Sequence, residues 1–144
     1  FFVSINDCIS NIGNVTCGVP QGSILGPLLF LLYVNDMSEY VDSKLLLYAD
    51  DSCLVFQGRD PKVIERQLNK DFTNICDWFI DNKLRIHFGE EKTKSILFTS
   101  KDKKNRESNL DIVYKDIKIK QYSKVTYLGC VLDESLSGES MALI

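Results

Sequence analysis

Apolar and polar residues alternate along the chain with several distinct periods, and each period predicts an element. From Pro61 to about Asn82 the repeat is three and four. Val63, Ile64, Leu68, Phe72, Ile75, Cys76 and Phe79 form one stripe, while Lys62, Glu65, Arg66, Lys70, Asp71 and Asp77 fill the other face. That spacing predicts a long amphipathic helix opened by Asp60 or Pro61, with Trp78 extending the stripe. Leu28 to Val34 is apolar on every face. With Ser23 as N-cap and Pro27 in the first turn, it predicts a helix running to about Met37 and buried on most sides. Period-two stretches predict strands at Phe1–Ile5, Leu84–Phe88 and Thr93–Thr99, and a last one at Val125–Leu132. Turns are expected at Asn6–Asp7 and Gly89–Lys92. Cys8–Val15 reads as a loop leading to a short strand near Val15–Cys17. Leu110–Lys120 reads as a small hairpin turning at Lys115–Asp116, and Asp133–Ile144 as a weak tail. Antiparallel strands backed by two helices make an α+β fold.

The most informative stretch is Tyr48-Ala49-Asp50-Asp51. Leu45, Leu46 and Leu47 precede it and Ser52-Cys53-Leu54-Val55-Phe56 follows. Two short apolar runs around a small residue and two acids predict a β-hairpin with carboxylates at its tip. Adjacent like charges repel, so the pair calls for an electrical partner. A hard divalent cation with oxygen ligands, Mg²⁺ above all, has the right charge. Phosphoryl transfer uses such sites, with acids bridging two ions about 4 Å apart. On these residues alone, an ordinary exposed turn with two aspartates stays open.

A second turn-rich segment, Gly18-Val19-Pro20-Gln21-Gly22-Ser23, stands directly before the all-apolar helix. Glycines and a helix N-terminus let backbone N–H groups approach a nucleotide, although a plain capped turn reads equally well.

Charge sharpens this picture. The chain of 144 residues has a formal net charge of -3, which by itself does not mark a nucleic-acid binder. Residues 1–60 hold seven acids and two bases, whereas residues 92–124 hold ten bases and four acids. Acids gather around the proposed metal site, and a locally basic segment follows, which suits a phosphate-rich partner or a merely solvated face. The five cysteines are scattered without a CxxC pair, so no zinc or disulfide framework is expected and a reducing compartment is. The apolar run Ile24–Val34 is too short to span a membrane.

Taken together, the two constellations resemble a known family. Gly18-Val19-Pro20-Gln21-Gly22-Ser23-Ile24-Leu25-Gly26-Pro27-Leu28-Leu29-Phe30, followed by Leu47-Tyr48-Ala49-Asp50-Asp51, is similar to the reverse transcriptases of non-LTR (LINE-type, jockey-like) retrotransposons. Asn82-Lys83-Leu84-Arg85-Ile86 with Glu91-Lys92-Thr93-Lys94 resembles that family's motif D. Thr126-Tyr127-Leu128-Gly129-Cys130 resembles its motif E.

The resemblance implies an RNA-directed DNA polymerase that adds dNTPs to a DNA primer on an RNA template. The fold it implies is the palm of a right-hand polymerase with a little of the fingers over residues 1–136, and residues 137–144 leading towards the thumb or disordered. Asp50 and Asp51 would be catalytic and would hold two Mg²⁺ ions, with Asp50 the more central. Pro20, Gln21, Gly22 and Ser23 would lie near nucleotide and template. Lys92, with Lys94 as second choice, would assist the leaving pyrophosphate. Tyr127, Leu128 and Gly129 would form the primer grip, a hairpin where periodicity alone reads one strand. The family's third acid, from motif A, is expected upstream of Phe1, since neither Asp7 nor Asp36 matches it. The chain alone is therefore expected not to polymerise. The alternative is a non-catalytic retroelement remnant or nucleic-acid-binding module. The resemblance also implies nuclear action at integration and no membrane partner. His87, between Ile86 and Phe88, reads as structural, and the loop Lys101–Arg106 as solvated or touching nucleic-acid backbone.

Overall fold

The computed structural model describes residues 2–6, 8–14, 18–90, 92–99 and 109–134. The expected strand at Val15–Cys17, the loop Lys101–Arg106 and the tail from residue 135 lie outside them. The chain divides into two compact units, Phe1–Asn35 and Asp36–Ile144.

In the first unit, β1 (Ser4–Ile5) pairs antiparallel with β2 (Cys8–Ile9) around Asn6, whose φ is 48°. Part of the expected loop is thus the hairpin's return strand. Helix α1 (Gly26–Val34) begins later than the sequence predicts, with Leu25 rather than Ser23 at the N-cap position. Ser23 still serves the helix start, because its Oγ accepts from the Gly26 N–H at 3.0 Å. The expected burial of α1 is corrected. Only Val34 is buried, and Leu28, Leu29, Leu31, Leu32 and Tyr33 are exposed. Covering an all-apolar helix takes a second apolar layer, and a hairpin of two-residue strands does not supply one.

A 3-10 helix (Asn35–Tyr40) starts at the last residue of the first unit, and the second unit continues into β3 (Lys44–Tyr48) and β4 (Asp51–Val55), paired from Lys44↔Val55 to Tyr48↔Asp51. Helix α2 (Pro61–Asp81) has the predicted bounds. Asp60 caps it by accepting from the Lys62 N–H at 3.0 Å. The helix closes with the Leu84 N–H on the Phe79 carbonyl at 2.8 Å and Lys83 at φ 56°.

The expected hairpin around Lys115–Asp116 is β5 (Ile112–Tyr114) paired with β6 (Ile117–Ile119). The single strand expected at Val125–Leu132 is two strands, β7 (Lys124–Tyr127) and β8 (Cys130–Asp133), turning at Leu128–Gly129. Among the described residues the strands form four separate two-stranded sheets. Antiparallel pairing is as expected, but one continuous sheet is not found.

Two other expected strands are corrected. Leu84–Phe88 keeps its in-out alternation yet is not a strand, and Thr93–Thr99 has only an isolated bridge, Ser95↔Gln121. Alternation records which side chains face a core; a strand also needs a neighbouring backbone to complete its ladder.

The core lies where α2 meets β5 and β6. Ile64, Leu110, Ile112 and Ile119 are buried together, with Phe56, Leu68, Phe72, Phe88 and Leu97 packed around them. Phe88 stacks on Tyr114 with ring centroids 5.9 Å apart, and Phe72 meets both rings edge-on. Asn69 of α2 ties the edge of β5 through its amide, donating to the Asp111 carbonyl and accepting from the Val113 N–H, each at 2.8 Å.

Asp71, which periodicity assigns to the solvent face, is fully buried. Its carboxylate accepts from the Ser43 N–H at 2.8 Å, the Asp42 N–H at 3.2 Å and the Gln67 amide at 3.0 Å. Burial by itself raises the pKa. Hydrogen bonds from the Gln67 amide and from the backbone N–H groups of Asp42 and Ser43 outweigh it and hold the carboxyl below its ordinary value. The Ser43 hydroxyl is buried there without hydrogen-bond geometry, so the amides and Gln67 carry the effect.

A lowered folded pKa stabilises the fold at neutral pH, and the contribution is lost as pH falls through the folded value. Lys70 and Asp42, an exposed ion pair at 2.6 Å, are the charged neighbours. Urea unfolding of wild type and Asp71→Asn should show wild type the more stable at neutral pH, with the gap narrowing in acid. A gap that ignores pH would show that the charge is unused.

Candidate active site

The acidic tip is a two-residue β-turn. Tyr48 and Asp51 are the last paired positions, leaving Ala49 and Asp50 as the turn residues. Ala49 has φ 50°, the left-handed region that L-residues avoid, at a cost of about 1–2 kcal/mol. This conformation follows from the right-handed twist of the flanking strands, which a two-residue loop matches only with positive φ. Ala49→Gly should raise hairpin stability by roughly 0.5–1 kcal/mol, and Ala49→Val, β-branched at positive φ, should lower it by roughly as much or more, both read by urea unfolding. Equal stability of the two variants would show that the turn carries no strain.

Asp50 and Asp51 are both exposed, on adjacent residues where turn meets strand. Among the described residues no lysine or arginine forms an ion pair with either carboxylate. Two unneutralised hard oxygen donors suit a divalent cation in kind. They do not complete its shell: among the described residues no three Asp, Glu, His or Cys side chains group as a metal site.

Tyr127 titrates above the ordinary tyrosine value, first because of desolvation and then because of Cys53 and Asp51 of β4. Cys53 and Asp51 point to one face of that strand, since they are two residues apart. At the hairpin tip, Leu128 has φ 48° and Gly129 φ 79°. Positive φ at both turn positions is the type I′ hairpin pattern, for which Gly129 is well suited. Leu128 holds its strained conformation with an exposed side chain.

Lys92 stands on a turn from Gly89, its N–H donating to the Gly89 carbonyl at 2.8 Å. Three bonds brace that turn. The Thr93 hydroxyl donates to the His87 carbonyl, the Tyr122 hydroxyl to the Glu90 carbonyl, and Lys120 pairs with Glu90 at 2.8 Å. No hydrogen bond or ion pair joins Lys92 to Asp50 or Asp51 among the described residues. Lys94 and Lys120 each lie 5.3 Å from the Tyr122 ring centre.

In the first unit, Pro20, Gln21, Gly22 and Ser23 form one turn, closed by the Ser23 N–H on the Pro20 carbonyl at 3.1 Å. Gly22 has φ +81°, so the third turn position needs glycine. Gln21 is thereby displayed to solvent. A Cβ on Gly26 would sit 2.6 Å from the Ser23 hydroxyl, so glycine there keeps the capping bond open.

The sequence reading missed the grip of α2 on the residues ahead of β3. Gln67, Lys70, Asp71 and Asn74 are spaced three and four apart, one helical face, and all bond to Tyr40–Ser43 or to one another. The spacing was legible as a polar stripe; its partner was not.

An exposed carboxylate pair thus stands at the tip of a tight antiparallel hairpin within an α+β unit. Residues 3–132 match the family described as reverse transcriptase (RNA-dependent DNA polymerase), and the chain belongs to that family. It is 30% identical over 142 residues to the probable RNA-directed DNA polymerase from transposon X-element of Drosophila melanogaster, covering 95% of this chain and 15% of that protein. It is 33% identical over 126 residues to the retrovirus-related Pol polyprotein from type-1 retrotransposable element R1 2 of Nasonia vitripennis, covering 83% of this chain and 30% of that one. The RNA-directed DNA polymerase from mobile element jockey of Drosophila melanogaster is 27% identical over 146 residues, covering 95% of this chain and 15% of that protein. The non-LTR resemblance read from the motifs is met by these relatives. No solved structure matches the chain.

Proposed function

We propose that this chain is the palm-centred portion of a retrotransposon RNA-directed DNA polymerase that extends a DNA primer with dNTPs on an RNA template, acting in the nucleus at integration. The observation that carries the reading is Asp50-Asp51, exposed and, among the described residues, without an ion-pairing cation, at the tip of a two-residue hairpin in a chain of this family. Asp50 and Asp51 would hold Mg²⁺ together with a third carboxylate from elsewhere in the polymerase. Held there, such ions would supply charge that neutralises phosphate oxygens and makes the attacking 3′ hydroxyl more acidic.

The chain's own residues bind and orient. The turn Pro20–Ser23 offers Gln21 and the backbone at Gly22 to nucleotide and template. Lys92, on its braced turn, donates a proton towards the departing pyrophosphate. Tyr127, Leu128 and Gly129 hold the primer end, and the electrical proximity of Tyr127 to Asp51 supports that role.

The test joins the chain to its preceding reading frame and follows primer extension on an RNA template with Mg²⁺. Extension that Asp50→Asn and Asp51→Asn abolish supports the reading. Undiminished synthesis by both variants overturns it. A wild-type protein that binds primer–template without extending it favours the non-catalytic remnant.

A further inference from the structure

The acidic hairpin is mounted on α2 at both of its feet. After β4, Phe56 packs against the core cluster that contains Ile64. Ahead of β3, the Asp71 carboxylate takes the N–H groups of Asp42 and Ser43, while Asn74 donates to the Tyr40 carbonyl at 2.9 Å. Ile64 and Asp71 stand two helical turns apart, about 10 Å along α2. Among the described residues β3 and β4 bond as strands only to each other, so no wider sheet fixes their direction.

We propose that Asp71 is a positioning residue for the acidic hairpin: by holding the backbone of Asp42 and Ser43 it sets where β3 leaves α2, and so where Asp50 and Asp51 come to rest. The inference rests on the polymerase reading of those two aspartates.

The chemistry of the contact selects a carboxylate. Three N–H donors converge on Asp71, two from backbone and one from Gln67, and an ionised carboxylate only accepts. Asparagine would turn a donor towards donors, and alanine would leave two backbone N–H groups without their acceptor. Placement at this distance matters because reacting groups tolerate little error; a displacement of about 1 Å can cost about 10²-fold in rate.

The experiment uses the same polymerase, comprising this chain with its preceding frame. Wild type, Asp71→Asn, Asp71→Glu and Asn74→Ala are compared for kcat, KM for dNTP, Mg²⁺ half-saturation and thermal unfolding. Asp71→Asn is expected to lower kcat at least about tenfold and raise the Mg²⁺ requirement severalfold, with KM for dNTP within about twofold. Asp71→Glu, which keeps the acceptor, should recover part of kcat. A folded Asp71→Asn protein with wild-type kcat and Mg²⁺ dependence overturns the proposal, as does a loss that tracks only the unfolded fraction.

Should Asp71→Asn not fold, amide hydrogen exchange in Asp71→Glu, whose longer side chain shifts the acceptor away from the Asp42 and Ser43 N–H groups, decides. Faster exchange confined to residues 42–55 supports the mount, and unchanged exchange there overturns it. If Asp50→Asn polymerises normally, the polymerase reading fails by itself. The same exchange measurement on Asp71→Asn still tells whether the carboxylate holds the hairpin.

Discussion

Asp50→Asn should reduce primer extension by the chain-containing polymerase by about 10³-fold, equivalent to roughly 4 kcal/mol of transition-state stabilisation. The substitution keeps size and turn propensity but removes the charge that a cation needs. The hairpin itself should survive, because the Asp50 side chain is exposed and only its backbone makes the turn. Unfolding midpoints should therefore be unchanged or slightly raised, since one of two adjacent negative charges is gone. Asp51→Asn should act in the same direction by about 10²-fold. That residue also begins β4 opposite Tyr48, so its backbone is more constrained. Single-turnover extension separates the chemical step from primer binding. A rise in KM with unchanged kcat would place the two acids in substrate binding instead.

The second large effect is on stability. Ile112 is buried with Ile64, Leu110 and Ile119 at the junction of α2 and the β5–β6 hairpin. Ile112→Ala removes methyl groups from a site that backbone bonds to Asn69 and Glu65 keep from collapsing. The expected cost is about 3 kcal/mol, a large share of the roughly 5–15 kcal/mol that folded domains possess. Ile117, at the outer end of the same hairpin and 39% exposed, should lose under about 1 kcal/mol on substitution by alanine. Equal losses at the two positions, read by urea unfolding, would place the core elsewhere.

Local chemistry wrote several elements plainly into the sequence. Helix α2 has its predicted bounds because Asp60, Pro61 and a sustained stripe of apolar residues all act within one helix. The β3–β4 and β5–β6 hairpins were legible for the same reason, each being two short runs joined by a two-residue turn. The turn Pro20–Ser23 follows from its own glycine and proline. Motif order, read as a resemblance, pointed to the family that the comparison then showed. It also placed a hairpin at Tyr127–Gly129 where the apolar pattern, blind to a tight turn between two apolar runs, read one strand.

What the sequence by itself determined is thus the set of local elements, the acidic tip and the family. Tertiary structure decided the rest. Leu84–Phe88 carries strand-like alternation but forms no ladder, because a ladder needs a partner backbone that periodicity cannot name. The all-apolar α1 was expected to be covered, yet cover depends on what lies opposite. Asp71 falls among charged residues on the helical wheel and is nonetheless buried. Its environment is set by Asp42 and Ser43, 29 and 28 residues away in sequence. Helical spacing reports which residues share a face, and only the chain folding back decides what that face meets.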